Sequence, residues 1–138
     1  FHRLEDTAAM ESDLWNQALQ TLESDGIKRA LEQLMGAAYS APSVREKNRY
    51  RLLMAKLCIQ ADRPDLARPI AEELNALVEE LTLSRWESPI WIAEVMDVLY
   101  RCLTWENASS DDQYKAQELF QKLCTTDVTK AIGYKGAN

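Results

Sequence analysis

The sequence predicts an all-α protein of about six helices that pair as three antiparallel helical hairpins. Two observations predict this fold. Glycine and proline are scarce, with four of each among 138 residues, and apolar residues recur every three or four positions over several long stretches. A chain of this length can bury a core without disulfides or metal ions. We therefore expect a single helical domain over residues 1–138.

The first half of the chain contains three helical patterns. An apolar stripe runs from Met10 to Leu22 and is interrupted before Gly26. A second stripe runs from Ile27 to Ala38. The third helix should begin at Ser43, where Ser43 and Glu46 form a capping box that satisfies free terminal amides. Its buried face is predicted to run from Tyr50 to Ala61.

The second half contains three more patterns. The fourth helix should cover Leu66 to Leu81, with a late start or a kink near Arg68, because the internal Pro69 removes a backbone hydrogen bond. The fifth helix, from about Pro89 to Thr104, is apolar nearly all round, which is typical of a helix at the centre of a fold or shared between subunits. A capping box at Ser110–Gln113 opens the sixth, and Val128–Ile132 can add a further turn.

Small residues mark three places where helices could approach closely, at Ala30, Ala67 and Ala116. Their surroundings are similar to the second helix of a tetratricopeptide hairpin, whose repeat is about 34 residues long. The intervals between these alanines are 37 and 49 residues. Because this spacing is uneven, a tetratricopeptide-like array and an irregular helical bundle both remain consistent with the sequence.

The residues that carry most enzyme chemistry are scarce. His2 is the single histidine, so a Ser–His or Cys–His nucleophile pair cannot be assembled. The sequence contains neither a glycine-rich phosphate loop nor a CxxC pair. We therefore predict that the protein is not an enzyme and takes no cofactor, no metal ion and no small-molecule substrate.

The thiols and the acidic doublets fit structural roles. The three cysteines lie on apolar helical stripes, which favours reduced core thiols in a cytosolic protein. They are Cys58, Cys102 and Cys124. Neighbouring acidic residues point in different directions on a helix, so the doublets are interpreted as solvated faces or caps. They are Glu72-Glu73, Glu79-Glu80 and Asp111-Asp112.

Charge is unevenly distributed along this acidic chain, whose net charge is −6. Residues 43–69 carry seven basic and three acidic side chains, whereas residues 70–138 carry six and twelve. A negatively charged protein is repelled by the phosphates of nucleic acid, so we predict that the protein does not bind nucleic acid. We expect the basic third helix, including Arg49, to meet acidic residues such as Glu80, either within the chain or across a subunit boundary.

Two tryptophans flank the predicted start of the fifth helix. Ser88 followed by Pro89 reads as an N-cap with proline in the first helical position, so Trp86 precedes the helix and Trp91 lies in its first turn. Indoles at such a corner can fill the core or anchor a partner. The candidate residues for an oligomer interface are Trp86, Pro89, Ile90, Trp91, Val95, Val98, Arg49 and Glu80.

The order of these features resembles a known family. An arginine-led helix from Arg49 is followed by the Ala-rich turn at Ala61, the Leu-rich helix through Leu74 and the corner Leu83-Ser-Arg-Trp86-Glu-Ser-Pro89. This combination is similar to the C-terminal domain of the TssA proteins of bacterial type VI secretion systems, also called ImpA or VasJ, over about Val44 to Leu103. In the family the acidic residue more often stands directly before the proline, whereas in this chain Ser88 separates Glu87 from Pro89. This difference leaves the subgroup of the family open.

The resemblance implies an assembly role. It implies a cytoplasmic domain that forms a ring-like homo-oligomer, such as a dodecamer with sixfold symmetry, and meets the secretion apparatus at the membrane through its partners. Those partners are tail tube, sheath and baseplate proteins, whose polymerisation the family primes or coordinates. Because the chain begins at Phe1 rather than Met, we expect it to be a piece of a longer protein, and the resemblance implies that this piece is the C-terminal part. The alternative hypothesis is a monomeric tetratricopeptide-like adaptor that binds a peptide.

Overall fold

In the part that the computed structural model describes, the regular secondary structure is helical. That part comprises residues 2–80 and 87–135, with side chains described for residues 9–80 and 87–132. The helices are α1 (His2–Asp25), α2 (Ile27–Ser40), α3 (Val44–Gln60), α4 (Pro64–Glu80), α5 (Pro89–Leu103), α6 (Ser110–Thr126) and α7 (Val128–Lys135). The predicted all-α class is confirmed, and the turn expected near Val128 is a helix of its own.

Contacts along the chain define two compact units. Unit 1 comprises residues 1–63 and contains α1, α2 and α3, while unit 2 comprises residues 64–138 and contains α4 to α7. Each unit has its own set of buried side chains. The expectation of one domain over residues 1–138 stays a prediction.

Unit 1 is a three-helix arrangement in which every pair of helices is in contact. Its core is closely packed because small residues from α1 and α2 face larger ones from α3. The core residues are Ala18, Ala30, Leu34, Ala38, Tyr50, Leu53 and Leu57. The tight turn between α1 and α2 depends on Gly26, whose φ of 97° lies in the region that favours glycine.

The end of α3 is closed by a Schellman motif, in which two backbone amides beyond the helix bond back to its last turn. The amide of Asp62 donates to the carbonyl of Ile59 at 3.1 Å, and the amide of Arg63 donates to Cys58 at 2.8 Å. Asp62 has a φ of 58°, the left-handed conformation that this motif requires. Pro64 then begins α4 at a position where a missing amide donor costs nothing.

Unit 2 is built around α5, which packs against both α4 and α6, and α7 packs on α6. The buried residues of α5 cover most of its circumference. They are Trp91, Ile92, Ala93, Val95, Met96, Val98, Leu99, Cys102 and Leu103. The apolar character of this helix is thus explained by its place at the centre of unit 2.

The structure confirms two of the predicted helix starts and corrects two others. Ser88 caps α5 as predicted, because its Oγ accepts from the Trp91 amide at 3.1 Å, and Ser43 likewise caps α3. The cap of α6 is Ser109 rather than the predicted Ser110, since Ser109 has the extended backbone and accepts from the Asp112 amide. The late start expected near Arg68 is wrong, because α4 begins at Pro64 and continues through Pro69. The alternative, a kink near Arg68, stays a prediction.

An ion pair ties the first turn of α6 to α4. Arg68 donates from its two terminal nitrogens to the Asp112 carboxylate at 3.1 and 2.8 Å, and from Nε to Glu72 at 2.6 Å. A two-pronged arginine–carboxylate pair is stronger and more specific than a single contact. The hydrogen bonds from Arg68 lower the pKa of Asp112 below its ordinary value.

The ion pair between Arg68 and Asp112 predicts that the stability of the protein depends on pH. The pKa of Asp112 is lower in the folded state than in the unfolded state. The ionised carboxylate therefore adds to the free energy of unfolding above the ordinary pKa of an aspartate, and this contribution is lost as the pH falls through the lowered pKa. We expect Arg68→Gln to reduce the free energy of unfolding at neutral pH, and the difference from wild type to shrink at about pH 3 and below. Urea denaturation at both pH values measures this.

The matched control is Arg101→Gln, which removes an exposed arginine that pairs within α5 with Asp97 at 3.2 Å. Surface pairs of this i,i+4 type contribute little, so the control should lower stability less than Arg68→Gln at neutral pH. A loss at Arg68 that is equally large at neutral and acidic pH would show that packing, rather than the Asp112 charge, explains it.

Candidate functional site

The predicted interface residues around the start of α5 divide into buried and exposed groups. Trp91, Val95 and Val98 are 6 %, 0 % and 3 % exposed and belong to the interior of unit 2. Ile90 is 65 % exposed, and Pro89 is exposed beside it. Within this part of the candidate set, the surface is therefore formed by Pro89 and Ile90.

The two tryptophans of the predicted corner have different outcomes. Trp86 lies outside the described residues. The indole Nε1 of Trp91 is buried, and among the described residues it has no hydrogen-bond partner. A buried N–H without an acceptor costs free energy, so Trp91 contributes to unit 2 through the apolar area of its rings.

The two charged candidates lie in different units. In unit 1, the Nη1 of Arg49 lies 3.8 Å from Oε1 of Glu11 on α1, so one acidic neighbour of the basic helix belongs to its own unit. Glu80 is exposed at the end of α4 in unit 2. Its neighbour Glu79 accepts a hydrogen bond from Lys122 of α6 at 2.7 Å.

A groove lies on the surface of unit 1 between α2 and α3, and sequence reasoning missed it. We call it the α2–α3 groove; it has a volume of about 230 Å³ and is lined by Met35, Ala38, Tyr39, Lys47, Arg51 and Met54. Tyr39 is 82 % exposed, and Met35, expected on the buried face of α2, is 43 % exposed. The lining thus combines apolar side chains with two cations.

The basic side of the groove follows from helix periodicity. Lys47, Arg51 and Met54 are spaced four and then three residues apart on α3 and so share one face. Lys47 is exposed, while Arg51 and Met54 are half-buried. The spacing was visible in the sequence, but the exposure of Met35 and Met54 was not, because an apolar residue at the edge of a stripe can lie on either side of the core boundary.

Unit 2 exposes one narrow line of α5, which we call the α5 stripe: Ile90, Glu94, Asp97 and Arg101. The residues are spaced four, three and four apart and therefore lie on one face. Glu94 and Asp97 are half-buried and Arg101 is exposed. An exposed isoleucine followed by two carboxylates gives this line an apolar end and an acidic middle.

A second groove, of about 230 Å³, lies among α4, α5 and α6. Leu99, Leu103 and Leu119 contribute its apolar lining, and Glu72, Glu79, Glu118, Lys115 and Lys122 supply charges. Glu72 and Glu79 are engaged by Arg68 and Lys122 respectively. Carboxylates held in exposed ion pairs are suited to stabilising a surface rather than to proton transfer.

The three cysteines are free thiols. Cys58 and Cys102 are buried and Cys124 is half-buried, in keeping with the predicted packing role. Across residues 9–80 and 87–132, whose side chains are described, the structure shows no group of three or more His, Cys, Asp or Glu side chains placed to hold a metal ion. None of the helices in those same ranges has the length and apolar character needed to cross a membrane.

Comparison with known families identifies the type of protein. The family model described as "Type VI secretion, EvfE, EvfF, ImpA, BimE, VC_A0119, VasJ" matches residues 2–99. The chain belongs to this family. The match includes α1 to α4 and most of α5, so it extends further towards the N-terminus than the resemblance seen from Val44 onward.

A solved structure supports the same relationship. The chain is similar to "EAEC T6SS TssA-Cterminus", with 30 % sequence identity and a TM-score of 0.73 over 88 % of this chain and 95 % of that chain. No curated protein matches. The predicted resemblance to a TssA C-terminal domain is thereby confirmed, and membership of the type VI secretion family supports a structural, assembly role for the chain.

Proposed function

We propose that this chain is a self-assembling, non-enzymatic domain of a TssA-like protein that helps prime or coordinate polymerisation of the type VI secretion tail. The observation that carries the proposal is that two of the exposed apolar side chains, Ile90 at the start of α5 and Tyr39 in the α2–α3 groove, share their surface with charged residues. Exposed apolar and aromatic residues next to charged ones are typical of protein–protein contact surfaces.

The finer features of the proposal come from the family. Most soluble homo-oligomers have closed point-group symmetry. A ring, such as a dodecamer with sixfold symmetry, would match a tail of the same symmetry. The proposed partners are tail tube, sheath and baseplate proteins. The proposed location is the bacterial cytoplasm, beside the membrane-docked apparatus. In this role the domain needs surfaces and rigidity rather than reactive groups.

The arrangement of polar groups supports a role without catalysis. Glu72, Glu79 and Asp112 accept hydrogen bonds from Arg68 or Lys122 on the surface of unit 2, and the half-buried thiol of Cys124 is the one cysteine outside the core. General acid–base catalysis places a proton donor and acceptor around a substrate-sized site. Asp112 and Glu79 instead take part in ion pairs that link α4 to α6, and Glu72 pairs with Arg68 within α4.

A monomeric adaptor is the second candidate, and the α2–α3 groove favours it. A groove of about 230 Å³ with an exposed tyrosine and two cations can accept a side chain of a partner peptide. The two candidates differ in what the isolated chain does. An adaptor is expected to be monomeric, whereas the assembly domain is expected to associate with copies of itself.

We expect the purified chain to elute as an oligomer, with a mass of several chains, in size-exclusion chromatography with light scattering at micromolar concentration. Dilution should shift the mass downward, because association follows mass action. Negative-stain images of the same fractions should contain rings. A chain that stays monomeric at tens of micromolar would overturn the proposal and favour the adaptor.

A further inference from the structure

Two lines of exposed and half-buried side chains, one in each unit, have complementary chemistry. In unit 1, the α3 side of the α2–α3 groove presents Lys47, Arg51 and Met54 in that order, so two cations precede an apolar residue. In unit 2, the α5 stripe presents Ile90, Glu94 and Asp97, so an apolar residue precedes two carboxylates, and Arg101 ends the stripe in an ion pair with Asp97. Both lines span seven residues, or roughly 10 Å along a helix axis.

The order of these residues selects one orientation. If α5 of one copy lies antiparallel to α3 of another, Ile90 faces Met54, Glu94 faces Arg51 and Asp97 faces Lys47. A parallel arrangement would place Ile90 opposite Lys47 and Met54 opposite Asp97, and would bury charge against apolar surface. In the antiparallel arrangement, steps of four and three residues on α3 lie opposite steps of three and four on α5, so the central pair is offset by one residue, or about 1.5 Å, while the two ends are in register.

We infer that the α5 stripe of one copy docks in the α2–α3 groove of a second copy, with the two helices antiparallel. The inference rests on the proposed self-association and names the contact that produces it. Because the two surfaces differ, the contact is heterologous, and each copy retains one unused groove and one unused stripe. Repetition of such a contact gives a ring when the rotation between copies closes.

Apolar and charged residues have different parts in this contact. Ile90 is 65 % exposed and enters between Met35 and Met54, whose flexible thioethers adapt to the shape of an incoming side chain. The exposed ring of Tyr39 supplies rigid contact area at the rim. Lys47 and Arg51 opposite Glu94 and Asp97 set the direction and raise the association rate, and added salt should weaken this part.

The experiment uses two variants of the chain, each altered on one surface. Lys47→Glu/Arg51→Glu reverses the charge of the groove, and Ile90→Asp removes the apolar end of the stripe. The altered positions are exposed or half-buried, and an aspartate is favourable in the first turn of a helix, so both variants should fold, as circular dichroism checks. Each variant by itself should associate roughly tenfold more weakly or worse.

Mixing the two variants provides the decisive measurement. The intact stripe of the groove variant can still dock in the intact groove of the stripe variant, so an equimolar mixture should give a one-to-one dimer and nothing larger in light scattering. A mixture that stays monomeric, or variants that assemble like wild type, would overturn the inference while leaving the proposed function intact. A monomeric wild-type chain would overturn both.

The controls are matched in chemistry. Lys28→Glu/Arg29→Glu reverses two exposed cations in the first turn of α2, and Ile132→Asp alters an isoleucine that is 54 % exposed on α7. None of these three positions belongs to the α2–α3 groove or to the α5 stripe. Both controls should assemble as wild type does; if they lose assembly to the same extent, a general sensitivity to added negative charge replaces the specific contact.

Discussion

Replacement of Trp91 by alanine should lower the free energy of unfolding by about 3–5 kcal/mol, the usual cost of truncating a buried tryptophan. The side chain is 6 % exposed in the first turn of α5, and its loss would leave a large void in unit 2. Urea denaturation followed by circular dichroism measures the change. We expect the substitution to act on the stability of the fold rather than on a specific contact with a partner.

Trp91→Phe is the informative companion. Phenylalanine keeps an aromatic ring in the site and removes the buried indole N–H, which has no partner among the described residues. We expect this variant to lose less than half of the stability that Trp91→Ala loses, because the deleted polar group satisfied no hydrogen bond. A loss as large as that of alanine would show that the Nε1 hydrogen has an acceptor in the folded protein.

Trp91→Phe also separates a core role from an interface role. If Trp91 is core, as its burial indicates, the folded phenylalanine variant should assemble as wild type does. A variant that folds normally but elutes as a monomer would return Trp91 to the interface. Light scattering at equal protein concentration distinguishes these results.

Truncation of Leu57 to alanine should have the largest effect in unit 1, about 2–5 kcal/mol in the free energy of unfolding. Leu57 is 0 % exposed and belongs to the core cluster that joins α1, α2 and α3. The cost combines the lost burial of the methyl groups with the cavity that close-packed neighbours cannot fill. Thermal and urea unfolding report it.

The matched control for Leu57 lies on the same helix. Val44 is 74 % exposed at the start of α3, and Val44→Ala removes apolar atoms that the fold does not bury. Its effect should stay within about 0.5 kcal/mol of wild type, as is usual for surface substitutions. Equal losses at Leu57 and Val44 would contradict the assigned core of unit 1.

Helix identity was predictable from the sequence because local signals and periodicity agreed. The cap at Ser88, the proline after it and the apolar repeat of α5 all indicate one helix start, and the structure has it there. Ala30, Ala67 and Ala116, marked as close-approach positions, are buried. Each of these features depends on residues close together in the chain, so the signal is contained in a short window.

Boundary details were less predictable for equally physical reasons. Adjacent serines at 109 and 110 can both cap a helix, and the choice depends on which backbone is extended. A proline inside a helix removes one hydrogen bond, and packing of Ala67, Ala71 and Leu74 can offset that loss in α4. Sequence patterns carry no measure of such tertiary compensation.

The candidate surface was the least predictable feature. The sequence marked Ile90, Trp91, Val95 and Val98 together, because all four are apolar and lie on one helix. The structure buries three of them and exposes Ile90. Which apolar residue of a nearly all-apolar helix faces outward depends on how many neighbours surround that helix, and such information lies in parts of the chain distant from it.

The narrow exposure of α5 has a consequence for how this domain can change over time. Nine of the fifteen residues of α5 are buried, so most substitutions there are opposed by the requirement to fold. Positions 90 and 101 are exposed and positions 94 and 97 are half-buried, so folding constrains this line less than the rest of the helix. Sequence differences between related proteins can therefore accumulate along one line of this helix. A substitution there alters which copies recognise each other and leaves the interior of unit 2 unchanged.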